Sequence, residues 1–405
     1  MPDAQPRTGS SNGLAIYLGV LQFLLLLTWT VYAVYLPGLL ESVGIARSWT
    51  GWILLADQAL FACFDVAVGF LADRAFRLYA RIGHWVLGFT AISCAAFLAL
   101  PLLPGADAGP ALFLGVTAVW VIASAALRSP LFALLARHAA TPAVPRLAGL
   151  ALIGMGLAAA VSPYLGTLLA EMDPRLPFAL SSLTLLAVCS GILVAERRAP
   201  AEPAPETEPP RPLPAWGWIP ALLLASLAFQ IGVFINAGPR YLREVDPSAL
   251  PWLMPVFWVA FSLLVFAAGK LGARWGAPRV FIAGCLAGAT GLALTTLDGL
   301  GAAVGGYALA GLGWGSALPS AFGLAAESGR PGRTATFTGL LFATLAAAAF
   351  LRIGLNLSGL PSRTELTALV TVGPALVWLL GGLLILALIR LIRTRRQPGT
   401  GSIRA

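Results

Sequence analysis

Long apolar runs follow one another along most of the chain, and polar breaks with turn residues separate them. Each run has the length of a bilayer-spanning helix, which takes about 20 mostly apolar residues. Dipeptides such as Pro104-Gly105 and Asp173-Pro174 mark the breaks. The pattern predicts an all-α membrane protein with twelve spans, numbered in chain order: 14–40, 48–72, 79–103, 110–137, 146–170, 176–195, 216–242, 249–272, 278–298, 301–327, 334–359 and 366–390.

One polar stretch divides the spans into two groups of six. Residues 196–215 contain seven prolines, four glutamates and three arginines, with almost nothing that could form a core. Such a composition is typical of a solvated linker. We therefore predict an N-terminal six-helix bundle over 1–195, a cytoplasmic linker over 196–215, and a C-terminal six-helix bundle with a basic tail over 216–405.

Composition and charge agree with a membrane protein. The chain has 405 residues, of which 58% are hydrophobic and 11% charged, whereas soluble domains carry about 25% charged residues. The net charge of +9 is spread over short loops and tails, so we expect no nucleic-acid partner. Nineteen Arg or Lys residues fall on the face that carries both termini and five on the other, which predicts cytoplasmic termini. We expect a multi-pass protein of a bacterial cytoplasmic (inner) membrane.

Two related loops lie 200 residues apart. The loop after span 2 reads Gly69-Phe-Leu-Ala-Asp73-Arg74-Ala-Phe-Arg77-Leu-Tyr-Ala-Arg81. The loop after span 8 keeps Gly269, Leu271, Arg274 and Gly276 but has Ala273 in the position of Asp73. The pair resembles the conserved loop of major facilitator superfamily transporters and its echo in their second half.

This resemblance implies a fold and a role for the acid. The fold is two pseudo-symmetric six-helix bundles that rock about a site at the membrane midplane. Asp73, with Arg74 beside it, would take part in gating by meeting a helix end and holding the two halves together. Because Ala273 has no carboxylate, we expect one such latch.

Four charged side chains fall inside predicted spans, where charge is costly and usually functional. Counted at about 1.5 Å per residue, Asp65 of span 2 and Arg128 of span 4 lie at one depth. Asp57 of span 2 and Arg352 of span 11 lie at the other depth. Since spans 2 and 11 face each other in the superfamily, we expect an Asp57–Arg352 pair to close the outer side. Asp57 and Asp65 are the expected proton carriers, and Arg128 is a second gating or coupling candidate. The alternative for all four is snorkelling or packing.

The central cavity of the superfamily is lined mainly by its first, fourth, seventh and tenth helices. In this chain those spans carry aromatic side chains with a few amides and hydroxyls, which suits a partly apolar solute. The residues that we expect to bind substrate are Gln22, Trp29, Tyr32, Trp120, Arg128, Phe229, Asn236, Arg240 and Trp314.

These features predict a secondary transporter that moves a small, partly apolar organic solute by alternating access, coupled to protons and working as a monomer. A segment of span 5 that ends Ser162-Pro163-Tyr-Leu-Gly166 resembles the motif of drug/proton antiporters and favours export. One alternative is uptake or exchange of an organic anion bound by Arg128, Arg352 and Arg240. Another is a non-transporting receptor or a lipid-handling protein.

An enzyme is not expected. His84 and His138 are the only histidines, and the four cysteines lie far apart in sequence, so no metal site or catalytic residue is predicted. The single lysine, Lys270, is followed by Leu271 and cannot belong to a phosphate-binding loop. We therefore expect no cofactor.

Overall fold

The computed structural model describes residues 8–79, 81–106, 109–139, 141–199, 213–329 and 332–395. Within these ranges the chain is α-helical with short 3₁₀ turns and contains no strand. Most of the predicted linker, at 200–212, lies outside the described residues, as do the predicted polar ends at 1–7 and 396–405.

Each predicted span corresponds to one helix or to two consecutive helices. Spans 4, 6, 7 and 8 are the ones in two pieces. In chain order the helices are Thr8–Ser42, Thr50–Tyr79, Gly83–Ala99, Pro110–Ser124 with Ser129–Arg137, Val144–Leu169, Arg175–Ser190 with Ile192–Arg198, Ala215–Phe234 with Ala237–Tyr241, Leu250–Leu253 with Val256–Trp275, Ala277–Leu294, Leu300–Ser328, Thr334–Leu357 and Thr367–Arg395.

Span 10 differs from the others in composition. Among the described residues, eleven stretches are long and apolar enough to cross a membrane. Span 10, Leu300–Ser328, is not among them although it has 29 residues. Its seven glycines lower the mean hydropathy, yet most of the helix is buried among its neighbours. The helix therefore completes the predicted set of twelve by length and position.

The predicted linker begins later than the sequence suggested. The last helix of span 6 continues to Arg198, and the Glu196 side chain is buried. Its carboxylate accepts hydrogen bonds from the backbone N–H groups of Ile82 at 2.7 Å and Gly83 at 3.0 Å. An acid at a helix N-terminus satisfies donors that have no partner within the helix. Glu196 thus joins the end of span 6 to the start of span 3.

Spans 2 and 11 form a seam in which glycine lies directly on backbone. A Cβ atom at Gly69 would overlap the carbonyl oxygen of Ala335. Reciprocally, a Cβ atom at Gly339 would overlap the carbonyl oxygen of Asp65. Helices in lipid gain little from apolar burial, so such close van der Waals contact is what holds them together.

Spans 5 and 8 form a second seam of the same design. Gly269 lies on the backbone of Pro145 and Arg146, and Gly149 lies on the carbonyl of Val265. Gly69 and Asp65 of the first seam correspond to Gly269 and Val265, each 200 residues later. Ala335 and Gly339 correspond to Pro145 and Gly149, each 190 residues earlier. The contacts therefore repeat between the two halves of the chain, as expected for pseudo-symmetric bundles.

Spans 1 and 5 cross at a third glycine contact. A Cβ atom at Gly154 would overlap the carbonyl oxygen of Gly19. Because a backbone carbonyl cannot rotate out of the way, even one methyl group has to push these helices apart.

We predict that Gly154→Ala lowers the melting temperature of the purified protein by several degrees, since overpacking costs about 1–3 kcal/mol. The matched control is Gly115→Ala in span 4, where a Cβ atom would meet nothing within 4 Å. That substitution should leave the melting temperature unchanged or raise it, because alanine favours helix. Equal effects in a thermal unfolding measurement would contradict the role of the crossing.

A candidate substrate cavity and its buried charges

A cavity of about 650 Å³ lies in the middle of the helices. Spans 1, 2, 4 and 5 line one side, and spans 7, 8, 10 and 11 line the other. Sites for small organic ligands fall in the range of about 300–1,000 Å³ and are mostly apolar with a few polar groups. The cavity has the size and position of a candidate substrate site.

Stacked aromatic rings form two opposite walls of the cavity. Trp29 of span 1 and Trp120 of span 4 stack at 5.7 Å between ring centroids. Phe229 of span 7 and Trp314 of span 10 stack at 4.9 Å. All four residues line the cavity, where the sequence placed them. Contact of these rings with a substrate stays a prediction.

Arg128 reaches the cavity from a break in span 4. The helix is interrupted by a 3₁₀ turn at Ala125–Leu127, and Arg128 has non-helical backbone angles of φ −107° and ψ −91° just before Ser129 and Pro130. Proline lacks an N–H and cannot continue a helix undisturbed. Gln22, which also lines the cavity, donates from Nε2 to the carbonyl of Leu127 at 2.7 Å.

The Arg128 guanidinium lies between a carboxylate and two aromatic rings. Its Nη2 is 3.3 Å from Oδ2 of Asp65, which is 0% exposed. This is an ion contact without hydrogen-bond geometry, because neither Asp65 oxygen has a hydrogen bond among the described residues. The guanidinium carbon lies 4.4 Å from the ring centroid of Phe61 and 5.0 Å from that of Phe342. The expected Asp65–Arg128 pair is therefore present, with Asp65 behind the arginine as seen from the cavity.

The expected Asp57–Arg352 pair is not formed in this structure. Asp57 instead accepts a hydrogen bond from the Tyr32 hydroxyl at 2.9 Å. The Arg352 guanidinium lies 4.9 Å from the ring centroid of Phe234, and its Nε has no hydrogen-bond partner among the described residues. The side chains of Asp57 and Arg352 point to opposite sides of the contact between spans 2 and 11: Asp57 points towards span 1 and Arg352 towards span 7. Matching depth along two helices did not predict which way each side chain faces.

Three expected substrate residues lie outside the cavity lining. Tyr32 is held by Asp57, behind the aromatic wall. Asn236 donates to the carbonyl of Val370 at 2.8 Å and joins span 7 to span 12. Arg240 is paired with Glu244 at 3.0 Å and donates to the carbonyls of Thr295 and Leu297, so it caps the end of span 9.

The displacement of Asn236 and Arg240 has a physical cause. The sequence placed both on one face with Phe229 by assuming an unbroken helix to residue 242. The first helix of span 7 ends at Phe234 instead, and a separate short helix follows at Ala237–Tyr241. The helical periodicity of the first segment therefore does not carry across the break.

Several polar residues of the lining were not among the expected substrate residues, including Gln58, Ser162, Ser226 and Gln230. The Oε1 atom of Gln230 and the Oγ atom of Ser226 are buried without a hydrogen-bond partner among the described residues. An isolated amide in an apolar run is costly in lipid unless it has a partner. An amide side chain within an apolar run is the sequence signal shared by Gln22 and Asn236, and the same signal would have predicted Gln58 and Gln230.

Asp73 meets the start of span 11, as the sequence predicted. Its carboxylate accepts hydrogen bonds from the backbone N–H groups of Ala335 at 2.9 Å and Thr336 at 2.8 Å, and from the Thr336 hydroxyl at 2.6 Å. A carboxylate at a helix N-terminus is favoured both by the free N–H groups and by the helix dipole. Arg74 beside it is exposed. The gating roles of Asp73 and Arg74 stay predictions.

The second seam lacks this latch on both sides of the contact. The Ala273 side chain has no acceptor, and the position that corresponds to Ala335 is Pro145, which has no N–H to donate. Of the two glycine seams, only the seam of spans 2 and 11 therefore carries this polar latch, on the side of the protein where the termini lie.

Packing closes the side of the cavity nearest the termini. The rings of Phe132 in span 4 and Phe322 in span 10 stack at 4.5 Å, and Phe342 of span 11 lies 5.5 Å from Phe132. All three are buried. Towards the opposite end the lining residue Phe234 is 46% exposed, although spans 2 and 11 still touch there at Gly51 and Leu357. Aromatic packing thus closes the cavity towards the termini, and the lining is looser towards the other face.

The described residues contain no group of three or more His, Cys, Asp or Glu side chains that could hold a metal ion.

The sequence model of the family described as Major Facilitator Superfamily matches residues 18–353 of this chain. The chain therefore belongs to this superfamily of membrane transporters, which confirms the resemblance and the fold expected from the sequence. Membership points to a multi-pass membrane protein that moves a small molecule, rather than to an enzyme.

Two solved transporters show the same fold. The human organic anion transporter MFSD10 (TETRAN) aligns with a TM-score of 0.68 and 15% identity, covering 96% of this chain and 100% of its own. A bacterial homologue of the iron transporter ferroportin, in an outward-facing state, aligns with a TM-score of 0.72 and 12% identity, covering 93% and 99%. Among curated protein sequences, none is similar enough to match. Identities this low show the fold alone.

We predict that Asp73→Asn lowers the melting temperature and the transport rate. The amide loses the charge and one of the two acceptor oxygens, and hydrogen bonds to charged groups contribute about 1.5–3 kcal/mol each. The control is Glu365→Gln, the same chemical change at an exposed residue near the other end of span 11. Thermal unfolding of both variants is the measurement. An Asp73→Asn protein as stable as the control would show that the Asp73 hydrogen bonds do not stabilise the fold.

Proposed function

We propose that this protein is a secondary transporter for a partly apolar organic anion, with Arg352 as the residue that holds the negative group. Of the two solute classes considered from the sequence, the geometry favours the anion over a neutral or cationic solute. The partly apolar body of the solute is retained from the leading sequence prediction.

The observation that carries the proposal is the state of Arg352. Its guanidinium lines the cavity within an apolar span, has no ion pair among the described residues, and leaves Nε without a hydrogen-bond partner. Arg352 has intermediate exposure, and a partly buried charge that has no counter-ion and one buried donor without an acceptor is unfavourable. A carboxylate, sulfonate or phosphate group of the substrate would supply both the counter-charge and the missing acceptor.

The positive charge of the cavity lining supports the same conclusion. Arg128 and Arg352 are the charged residues of the described lining, and both are positive. The two acids at the same depths are withheld from the cavity, Asp65 behind Arg128 and Asp57 on Tyr32. An anion would be attracted into this site, whereas a cationic drug or a metal ion would be repelled.

The rest of the lining fits the remainder of such a molecule. The stacked pairs Trp29–Trp120 and Phe229–Trp314 offer flat apolar walls on both sides. Gln58 and Gln230 could fix the orientation through amide hydrogen bonds. One of the solved structures with this fold is named an organic anion transporter, which agrees with the proposal. The cavity of this chain carries the argument, since the likeness extends to the fold.

Transport would proceed by alternating access. The observed form, closed towards the termini and fastened by Asp73, would be one end of the cycle. Breaking the Asp73 contacts while the opposite side closes would be the other. Cytoplasmic termini in a bacterial inner membrane, a monomeric state, export and proton coupling through Asp57 or Asp65 remain predictions from the sequence.

We predict that naphthalene sulfonate, an aromatic anion, raises the melting temperature of the wild-type protein, while the neutral naphthamide does not. In Arg352→Met the sulfonate should bind at least about tenfold more weakly, the loss of one charged hydrogen bond. The same variant without ligand should be more stable than the wild type, because it removes a buried uncompensated charge.

Arg363→Met is the matched control, because Arg363 is exposed beyond the end of the same span. It should keep the sulfonate effect and should not gain stability. A full sulfonate effect in Arg352→Met, measured as melting temperature against ligand concentration, would refute the anion site.

A further inference from the structure

Asp57 and Arg352 lie at one level of the same seam. Leu55 of span 2 contacts the site of Gly354 in span 11, where a Cβ atom would be 3.8 Å from Cδ1 of Leu55. Two residues further along span 2 is Asp57, and two residues back along the antiparallel span 11 is Arg352. Both side chains are withdrawn from the seam to its two flanks, one on Tyr32 and one on Phe234.

The two intramembrane acid–base pairs differ in whether their members touch, and this difference follows how tightly the cavity is packed on each side. Asp65 and Arg128 are in contact on the side that packing closes, next to Phe342. Asp57 and Arg352 are apart on the side where the lining is looser. The acid and base of a pair thus meet where the helices have closed.

Closing the looser side would bury the Arg352 side chain, which now has intermediate exposure, more completely. A guanidinium enclosed without a counter-ion is strongly unfavourable, so closure needs an anion beside it. In the loaded protein the substrate is that anion. In the empty protein the described residue that can supply the charge at this level is Asp57.

We propose that Asp57 replaces the substrate anion at Arg352 when the empty cavity closes, and that it thereby allows the unloaded transporter to return. The inference rests on the proposed function and adds a positioning residue to it. Asp57 contacts Arg352 rather than the substrate, and the substrate and Asp57 exclude each other from the same guanidinium. Tyr32 holds Asp57 away from Arg352 while the cavity is open.

This arrangement separates two kinds of flux. Exchange of one anion for another uses only loaded steps and does not need Asp57. Net movement requires the empty protein to turn over and therefore needs Asp57. Removing the carboxylate should convert a transporter capable of net flux into an exchanger.

The test uses proteoliposomes loaded with naphthalene sulfonate, with equal pH on both sides and the membrane potential clamped at zero. Efflux is measured into buffer with sulfonate, which reports exchange, and without it, which reports net flux. In Asp57→Asn, net efflux should fall at least about tenfold while exchange stays within about twofold of wild type, because only the empty step leaves a buried charge unpaired. Asp57→Glu should restore net efflux, and Glu365→Gln should alter neither flux.

A binding measurement gives a readout that structural damage would not produce. Asp57→Asn should bind naphthalene sulfonate no more weakly than wild type, since it removes a competitor for Arg352. Tyr32→Phe should bind it more weakly, since it frees that competitor.

The outcomes separate this inference from the proposed function. Wild-type protein that neither binds nor exchanges the sulfonate overturns the proposed function, and this inference with it. Wild-type exchange combined with undiminished net efflux in Asp57→Asn overturns this inference alone. Loss of both fluxes in Asp57→Asn overturns it as well, because Asp57 would then be required in the loaded steps.

Discussion

Contact of glycine with the backbone of a neighbouring helix is the constraint on which this fold depends. Lipid gives helices no hydrophobic reason to associate, so cohesion has to come from close approach. Gly69, Gly339, Gly149 and Gly269 provide it at the two seams between the halves. The same contacts join the two halves of the chain at both seams.

Polar fastening is added to this framework unequally. Asp73 fixes the start of span 11 by three hydrogen bonds, whereas the matching place of the second seam has Ala273 instead of the carboxylate and Pro145 instead of one of the N–H donors. Inside the bilayer, two acids and two arginines sit at matching depths, in contact on the closed side and apart on the looser side. In the mechanism that we propose, the cost of an unpaired charge away from water links the movement of the halves to the presence of an anion.

Much of the fold could be read from local sequence. The runs of apolar residues predicted every span, including Leu300–Ser328, which is not among the eleven stretches apolar enough to cross a membrane. The Gly69–Asp73 segment and its altered copy indicated the superfamily and the single latch, because a helix cap depends on a few residues of fixed geometry. The aromatic walls were also predictable, since Trp29, Trp120, Phe229 and Trp314 stand on the spans that line the centre. Errors began where a span was assumed to be one regular helix: the break after Phe234 removed Asn236 and Arg240 from the cavity.

The sequence by itself determined the spans, the repeat, the latch and the depth of each buried charge, because these depend on composition, on residue spacing and on length along a helix. Only the tertiary structure decided which charge meets which. Asp57 turns to Tyr32, Arg352 to Phe234 and Asp65 to Arg128 according to the rotation of each helix and the packing of its neighbours. Periodicity fixes the angle between residues of one helix, but it does not fix the angle of that helix relative to the next. The direction in which a buried side chain points is therefore a property of the assembled bundle.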